Sequence, residues 1–154
     1  MNKISETQIP FLIEAGIAID DRGQLIFAND FDFKKYGIRR FYAVSNHKQG
    51  FVRAWHGHKK ESKFVFVSKG SAIIGLVCVD NWDNPTKNLE VKKFILSSSK
   101  PSILFIPAGY ANGFMTLTKN TQVFFFSTSS LEESKGDDFR FEARYWNIWD
   151  VIER

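Results

Sequence analysis

Short apolar runs, rich in Phe and β-branched residues and separated by turn residues, extend along most of this chain. The 3.6-residue period of an amphipathic helix is weak everywhere, and only residues 131–135 suggest a helical turn. The predicted strands are residues 24–28, 40–44, 51–55, 62–67, 72–79, 89–96, 102–106, 113–117, 121–127 and 145–149. The almost continuously apolar run 72–79 predicts a central strand. About ten short strands favour an all-β antiparallel sandwich or barrel.

The size and charge of the chain limit its organisation and its ligands. Its 154 residues suit one domain with a full core and are few for two, so we predict a single domain over residues 1–154 with a core at roughly 20–145. The formal charge of +4 favours an anionic ligand but is too diffuse to indicate nucleic acid. The single cysteine, Cys78, cannot form an intrachain disulfide and is predicted to be a small buried residue.

The hydropathy of the chain argues against a membrane protein. No apolar segment approaches the length of about 20 residues that spans a bilayer. Residues 1–10 are polar and do not resemble a signal peptide. The sequence therefore predicts a cytoplasmic protein without a membrane partner.

Two histidines follow the predicted strand 51–55 at a spacing of two residues. Because side chains on a strand alternate between its faces, His56 and His58 should project to the same side. Arg53 lies on the same strand, which makes the group basic. Such a cluster suits an anionic substrate and proton transfer near neutral pH. Two other basic groups are interpreted differently, Arg39-Arg40 as an exposed basic surface and His47 as a loop residue.

Two motifs of this chain, in the order in which they occur, resemble the two motifs of the cupin superfamily. Gly50 stands six residues before His56, which with His58 gives the pattern G-x5-H-x-H, and Gly70 closes the following strand. Residues 107–112, Pro-Ala-Gly-Tyr-Ala-Asn, resemble the second cupin motif P-x-G-x2-H, with Asn112 in place of its histidine. The resemblance implies a cupin-type double-stranded β-helix, or jelly roll, built from antiparallel strands.

The departures from the cupin motifs argue against a metal ion. Lys63 occupies the position of the metal-binding glutamate, and Asn112 that of the second-motif histidine. An ammonium group would repel a divalent ion, and an amide is a poor substitute for imidazole. Glu61 lies nearby but two residues out of phase. We therefore predict neither a metal site nor another cofactor.

One metal-free branch of the cupins shares the lysine at the position of Lys63, although it keeps the histidine that Asn112 replaces here. Arg53-Ala54-Trp55-His56 followed by Lys63-Phe64-Val65 resembles the R-G-x-H and K-L-V segments of the dTDP-4-dehydrorhamnose 3,5-epimerase family. Residues 106–114 resemble its I-P-x-G-F-A-H-G-F segment, and the stretch 50–59 resembles the R-G-x-H-A-H-K motif of the dTDP-sugar 3,4-ketoisomerases. The resemblance covers roughly residues 20–145.

The resemblance implies roles for individual residues. His56 matches the catalytic base of the epimerases and the first histidine of the ketoisomerases, and His58 matches the second ketoisomerase histidine, as a partner acid or proton shuttle. Arg53 and Lys63 match positions that hold the diphosphate or the sugar. Their side chains suit that role, since arginine binds a pyrophosphate bidentately and lysine adds a point charge. Asn112 either contacts the ligand or caps a turn.

The acid of the epimerases has no direct counterpart in this chain. Their acid tyrosine aligns with Phe125, which makes a double inversion at two carbons doubtful and leaves epimerisation at one carbon or 3,4-keto transfer open. Tyr42, Tyr110 and Tyr145 are candidate replacement acids. We predict Tyr110 as the catalytic residue because it stands beside Asn112, and we place Tyr42 among the substrate-binding residues.

The predicted function is thus that of an isomerase or epimerase acting on a nucleotide-linked 4-keto-6-deoxy sugar, most simply a dTDP-sugar, during synthesis of a surface-polysaccharide sugar. The mechanism would be enolisation beside the ketone followed by reprotonation. The resemblance also implies a homodimer. Two alternatives stay open, a non-catalytic cupin that binds a sugar nucleotide and a metal-dependent cupin oxygenase.

Overall fold

A computed structural model describes residues 9–154 as two facing five-stranded antiparallel sheets, a two-stranded ribbon and one short helix. The elements are β1 (Phe11–Glu14), β2 (Gly16–Asp20), β3 (Gly23–Phe27), β4 (Arg40–Ser45), β5 (Val52–Gly57), β6 (Lys63–Lys69), β7 (Ser71–Cys78), β8 (Val91–Ser97), β9 (Ser102–Ile106), β10 (Tyr110–Thr116), β11 (Gln122–Ser127), α1 (Leu131–Lys135) and β12 (Phe139–Arg140). The first sheet has the order β1-β9-β6-β11-β4 and the second β12-β5-β10-β7-β8, while β2 and β3 form the ribbon. This architecture confirms the predicted antiparallel jelly roll.

The main core lies between the two sheets. On β7, Ala72, Ile74 and Leu76 point into this core and meet residues of β6, β9 and β11. The alternate residues Ile73 and Val77 pack on the outer face of the second sheet, against a second cluster. Both faces of β7 are therefore covered, which explains the continuous apolar run. As predicted, β7 lies inside its sheet, between β10 and β8.

The C-terminal segment corrects the sequence prediction. Residues 145–149 do not form a strand; Trp146 and Trp149 are instead buried against Trp55 on the outer face of the second sheet. Their indole N–H groups donate to backbone carbonyls, at 3.0 Å and 2.8 Å respectively. The prediction for Cys78 is also wrong, because this residue at the end of β7 is exposed. Predicted helix 131–135 is confirmed as α1.

An irregularity in β5 determines which side chains reach the interior. Asn112 of β10 pairs with His56, whereas Phe114, two residues on, pairs with Arg53, so that β5 has one extra residue here. This bulge lets Arg53 and His56, three residues apart, point to the same side. A Cβ atom at Gly113 would collide with Ala54, so the close approach of the strands requires glycine there.

Two predictions extend beyond the described residues. The single domain over residues 1–154 stays a prediction, and so does the statement on residues 1–10, the first eight of which lie outside the described part. Within residues 9–154, no helix has the length and apolar character that a membrane crossing requires.

Candidate active site

A cavity of about 490 Å³ opens between the two sheets at the ends of β5 and β10. It brings together six of the seven predicted site residues: Arg53, His56, His58, Lys63, Asn112 and Tyr42. Its other lining residues come from β4, β10, β11, β12 and the segment around α1: Arg40, Val44, Phe114, Phe125, Leu131, Ser134, Lys135, Asp138 and Arg140.

His56 is uncharged at neutral pH. It is half-buried on β5, where Asn112 Nδ2 donates to its backbone oxygen at 3.1 Å and Arg140 pairs with it from β12. Burial, and after it the positive charges of Arg140 and Lys63, together lower the pKa of His56 from 6.5 to about 4. A neutral imidazole in a cavity that an anionic substrate can enter has the properties of a general base.

His58 is buried, and its two ring nitrogens have different surroundings. Nδ1 lies 2.5 Å from the backbone oxygen of Asp137 and 3.2 Å from Oε2 of Glu61. Nε2 has no hydrogen-bond partner among the described residues. Burial lowers the pKa of His58, and Lys63 acts in the same direction, whereas Glu61 opposes the shift. The ring is thus held at one nitrogen and unpaired at the other.

Asp137 fixes the loop that follows His58. Its carboxylate accepts the backbone N–H groups of Lys59 and Lys60, both at 2.8 Å, and of Glu61 at 3.1 Å. The side chain and the backbone oxygen of Asp137 therefore position the loop and His58 together. Pattern analysis missed Asp137, because a role that depends on contacts with residues nearly 80 positions away leaves no local signal.

Lys63 and Tyr42 meet across the first sheet. Lys63, at the start of β6, is buried, and its ammonium donates to the Tyr42 hydroxyl at 3.1 Å. The Tyr42 ring stacks on Phe125, with centroids 5.2 Å apart and planes 11° apart. The two rings are direct partners on β4 and β11. A tyrosine hydroxyl therefore lies in the cavity one strand away from Phe125, the position that aligns with the family's acid.

The other two candidate tyrosines lie elsewhere. Tyr110 is buried in the core between the sheets, and burial together with the neighbouring Cys78 raises its pKa. Tyr145 packs on the outer face of the second sheet and donates to the backbone oxygen of Pro85 at 2.6 Å. The geometry thus does not support Tyr110 as the acid, because core packing holds its side chain outside the cavity lining.

Cations outnumber anions around the cavity. Five lining residues are basic and only Asp138 is acidic; the basic residues are Arg40, Arg53, Lys63, Lys135 and Arg140. Arg53 Nε donates to Asn46 at 2.7 Å, and Arg140 pairs with Asp138 at 3.1 Å. The interpretation of Arg40 as exposed surface is wrong, since it is part-buried in the cavity wall. Sequence patterns also missed Arg140, which lies far from both motifs.

The ionisable side chains of the cavity do not resemble a metal centre. Within residues 9–154, no group of three or more His, Cys, Asp or Glu side chains is arranged to hold a metal ion. Lys63 stands on the strand where a cupin glutamate would, and it donates to a phenol.

Fold and cavity together define a jelly roll with a cationic, histidine-bearing cleft between its sheets. The family model of dTDP-4-dehydrorhamnose 3,5-epimerase matches residues 6–149, and the chain therefore belongs to that family. Among proteins of curated function, none matches this chain significantly by sequence.

Solved structures of dTDP-sugar enzymes have the same fold. A dTDP-4-dehydrorhamnose 3,5-epimerase from Bacillus anthracis, solved with TDP and PPi bound, aligns with a TM-score of 0.72 at 21% identity over 98% of this chain and 91% of its own. A 3'-monoepimerase from Streptomyces bikiniensis gives 0.70 at 15% identity, over 92% and 74%. A sugar 3,4-ketoisomerase from Thermoanaerobacterium thermosaccharolyticum, in complex with TDP, gives 0.66 at 20% identity, over 88% and 90%.

Proposed function

We propose that this protein is a metal-independent isomerase or epimerase that acts on a dTDP-linked 4-keto-6-deoxy sugar, in the synthesis of a surface-polysaccharide sugar. One observation supports it above others: an uncharged His56 and the cations Lys63 and Arg140 line the same cavity. Removal of a proton beside a ketone needs such a base and such positive charges where the enolate forms. Family membership and the TDP-bound relatives support the nucleotide.

In the proposed reaction, His56 removes the proton from a carbon next to the C4 ketone. The electron pair of the broken C–H bond forms the enolate, whose negative charge develops on the ketone oxygen. Lys63 is buried, so its ammonium stabilises this charge more strongly than an exposed lysine would. Protonation of a carbon then gives the epimer or the isomeric ketone. Only protons move, and the step therefore requires neither oxidant nor cofactor.

Tyr42 is the proposed acid. Its hydroxyl oxygen accepts from Lys63, which leaves the hydroxyl proton available to the cavity. Phe125 stands in the position of the epimerase acid and has no proton to give. We therefore favour chemistry at one carbon, as 3-epimerisation or 3,4-keto transfer, over inversion at both C3 and C5.

Arginine side chains at the cavity mouth would bind the diphosphate. Arg53 and Arg140 are exposed and bonded to Asn46 and Asp138, whereas Arg40 is part-buried beside Glu61. Guanidinium groups bind phosphate oxygens bidentately, with charge-assisted hydrogen bonds. Asn112 donates to the backbone of β5, so we assign it a positioning role beside the substrate.

Proton NMR of dTDP-4-keto-6-deoxyglucose with the enzyme in deuterated water tests the proposal. We expect loss of the C3 proton signal with retention of the C5 signal, and a new product spectrum that distinguishes 3-epimer from 3-ketone. Loss of both signals would contradict chemistry at one carbon. TDP binding without exchange at either carbon would contradict the proposed activity and favour the non-catalytic sugar-nucleotide-binding alternative.

We further propose a cytoplasmic homodimer. Exposed apolar side chains on the β2–β3 ribbon support self-association, with Ile19 74% and Leu25 62% exposed. Light scattering during size-exclusion chromatography should give twice the mass of the 17.8 kDa chain. A monomer at micromolar concentration would contradict the dimer.

A further inference from the structure

The mechanism above leaves the buried carboxylate of Glu61 without a role. Its side chain has no exposed surface and lies beside the cavity wall, behind His58. Ser127 Oγ donates to Oε1 at 2.5 Å, Ser134 Oγ donates to Oε2 at 2.6 Å, and Arg40 approaches Oε1 at 3.4 Å. Three donors from β4, β11 and α1 therefore fix the orientation of this carboxylate.

The surroundings of His58 Nδ1 consist of acceptors. The backbone oxygen of Asp137 lies at 2.5 Å and Glu61 Oε2 at 3.2 Å, and neither oxygen has a proton to donate when Glu61 is ionised. A lone pair on Nδ1 would face two oxygens in a buried place, where such repulsion is poorly screened. Nδ1 must therefore bear the proton, which leaves the lone pair on Nε2.

We infer that Glu61 is a positioning residue that holds His58, a residue of the cavity lining, with its proton on Nδ1 and a lone pair on Nε2, which has no partner among residues 9–154, so that His58 accepts a substrate proton rather than supplying one first. This inference rests on the proposed function for its chemistry. The sequence left two roles open for His58, a partner acid and a proton shuttle, and this tautomer favours the proton shuttle. Glu61 itself does not touch the substrate.

The shuttle step balances without another reactant. His58 Nε2 takes a proton as it leaves a substrate hydroxyl oxygen, and the electron pair of the broken O–H bond stays on that oxygen. The imidazolium that results lies 3.2 Å from Glu61, whose negative charge stabilises it. His58 then returns that proton to a second substrate atom and becomes neutral again.

The tautomer can be measured on the unmodified protein. The chain has three histidines, so nitrogen-15 NMR of histidine-labelled protein gives a short spectrum that His47→Asn and His56→Asn variants assign. We expect a protonated, pyrrole-type Nδ1 and a bare, pyridine-type Nε2 for His58 near neutral pH. The opposite tautomer would overturn the inference. This result does not depend on any activity, so it stays informative even if the proposed sugar substrate is wrong.

A Glu61→Gln variant tests the catalytic consequence. The amide has the size of the carboxylate but no charge, and we expect kcat to fall at least about 10-fold while KM and the Kd for TDP stay within about twofold. Glu133→Gln is the matched control, because Glu133 lies on α1 with an exposed side chain and keeps its capping bond to Ser130 as an amide. Wild-type kcat in a folded Glu61→Gln protein would overturn the inference. If that variant does not fold, the tautomer of the wild-type protein decides.

Discussion

Two cavities of similar size differ in almost everything else. The candidate active site has a volume of about 490 Å³, and the second cavity, between the β4–β5 and β10–β11 loops, about 560 Å³. The second is lined by residues 46–50, residues 115–121 and Val151. It too contains a histidine and lysines, namely His47, Lys48 and Lys119, but these side chains are exposed on loops.

The polar groups of the second cavity mainly bind the loops that form it. Thr118 and Thr121 hydroxyls bond to each other at 2.9 Å, and Gln49 donates to the backbone oxygen of Leu117 at 2.6 Å. In the active-site cavity, by contrast, His58 Nε2 has no partner among residues 9–154, and the buried Lys63 lowers the pKa of both histidines. Volume alone therefore does not mark a site; histidines whose pKa values are lowered by burial and by neighbouring cations do.

Replacing one histidine of each cavity by alanine gives the sharpest test of this comparison. We expect His56→Ala to lower solvent-deuterium incorporation into the sugar by about 10³-fold or more, since it removes the base. The Kd for TDP should change little. His47→Ala, the matched control from the second cavity, should exchange at the wild-type rate. Equal rates in the two variants would break the distinction between the cavities.

Tyrosine-to-phenylalanine variants locate the acid. Tyr42→Phe should reduce product formation by about 10²-fold, because a general acid contributes a factor of that order. Deuterium exchange should fall less, since His56 is still present to form the enolate. The measurement is the ratio of product turnover to exchange by NMR.

Tyr110→Phe and Tyr145→Phe are the controls for this variant, one from the core and one from the outer face. Both should keep the wild-type ratio. A loss confined to Tyr110→Phe would restore the assignment made from the sequence.

The sequence was most informative where structure depends on neighbours in the chain. Residues 102–106, Ser-Ile-Leu-Phe-Ile, are a run of mostly apolar strand formers bounded by Pro101 and Pro107, and β9 has the predicted bounds. The His-x-His spacing likewise predicted that His56 and His58 share a cavity. The prediction of a strand at residues 145–149 was wrong because it used local composition alone. Aromatic residues favour strands, but Trp146 and Trp149 are buried against the outer face of the second sheet.

The missed site residues depend on pairing between distant segments. Arg140 reaches His56 through two-residue strand β12, which is too short to leave a pattern. Glu61 follows His58 by three residues, yet the orientation of its carboxylate depends on hydrogen bonds from Ser127 and Ser134. The periodicity of a single sequence does not show which distant segments lie side by side.

Removing one cation from each cavity should give a smaller effect. We expect Arg140→Gln to weaken TDP binding about 5- to 10-fold at low salt, because it loses charge-assisted hydrogen bonds to phosphate. The difference from wild type should shrink as ionic strength rises, since Arg140 is exposed. Lys119→Gln, in the second cavity, should bind TDP as wild type does in isothermal titration calorimetry. A comparable loss in both variants would mean that net charge, rather than the site, attracts the nucleotide.

The smallest expected effect is a dependence of stability on pH that originates in the active-site cavity. The pKa of His56 is about 4 in the folded protein and about 6.5 in the unfolded chain, so between these values the unfolded chain binds more protons. The free energy of unfolding should therefore be highest above pH 6.5 and fall as the pH drops toward 4, by at most about 1.4 kcal/mol per pH unit for this group. His58, whose pKa is also lowered, adds to the slope in the same direction.

Urea unfolding at pH 7 and pH 5 measures this slope, and a His56→Asn variant should flatten it, whereas His47→Asn should leave it as in wild type. An unchanged slope in His56→Asn would mean that the pKa of His56 is the same in the folded protein as in the unfolded chain. Burial and the charges of Lys63 and Arg140 would then not act on this imidazole as the structure indicates. The stability of the fold thus reports on the charge state that the proposed chemistry requires.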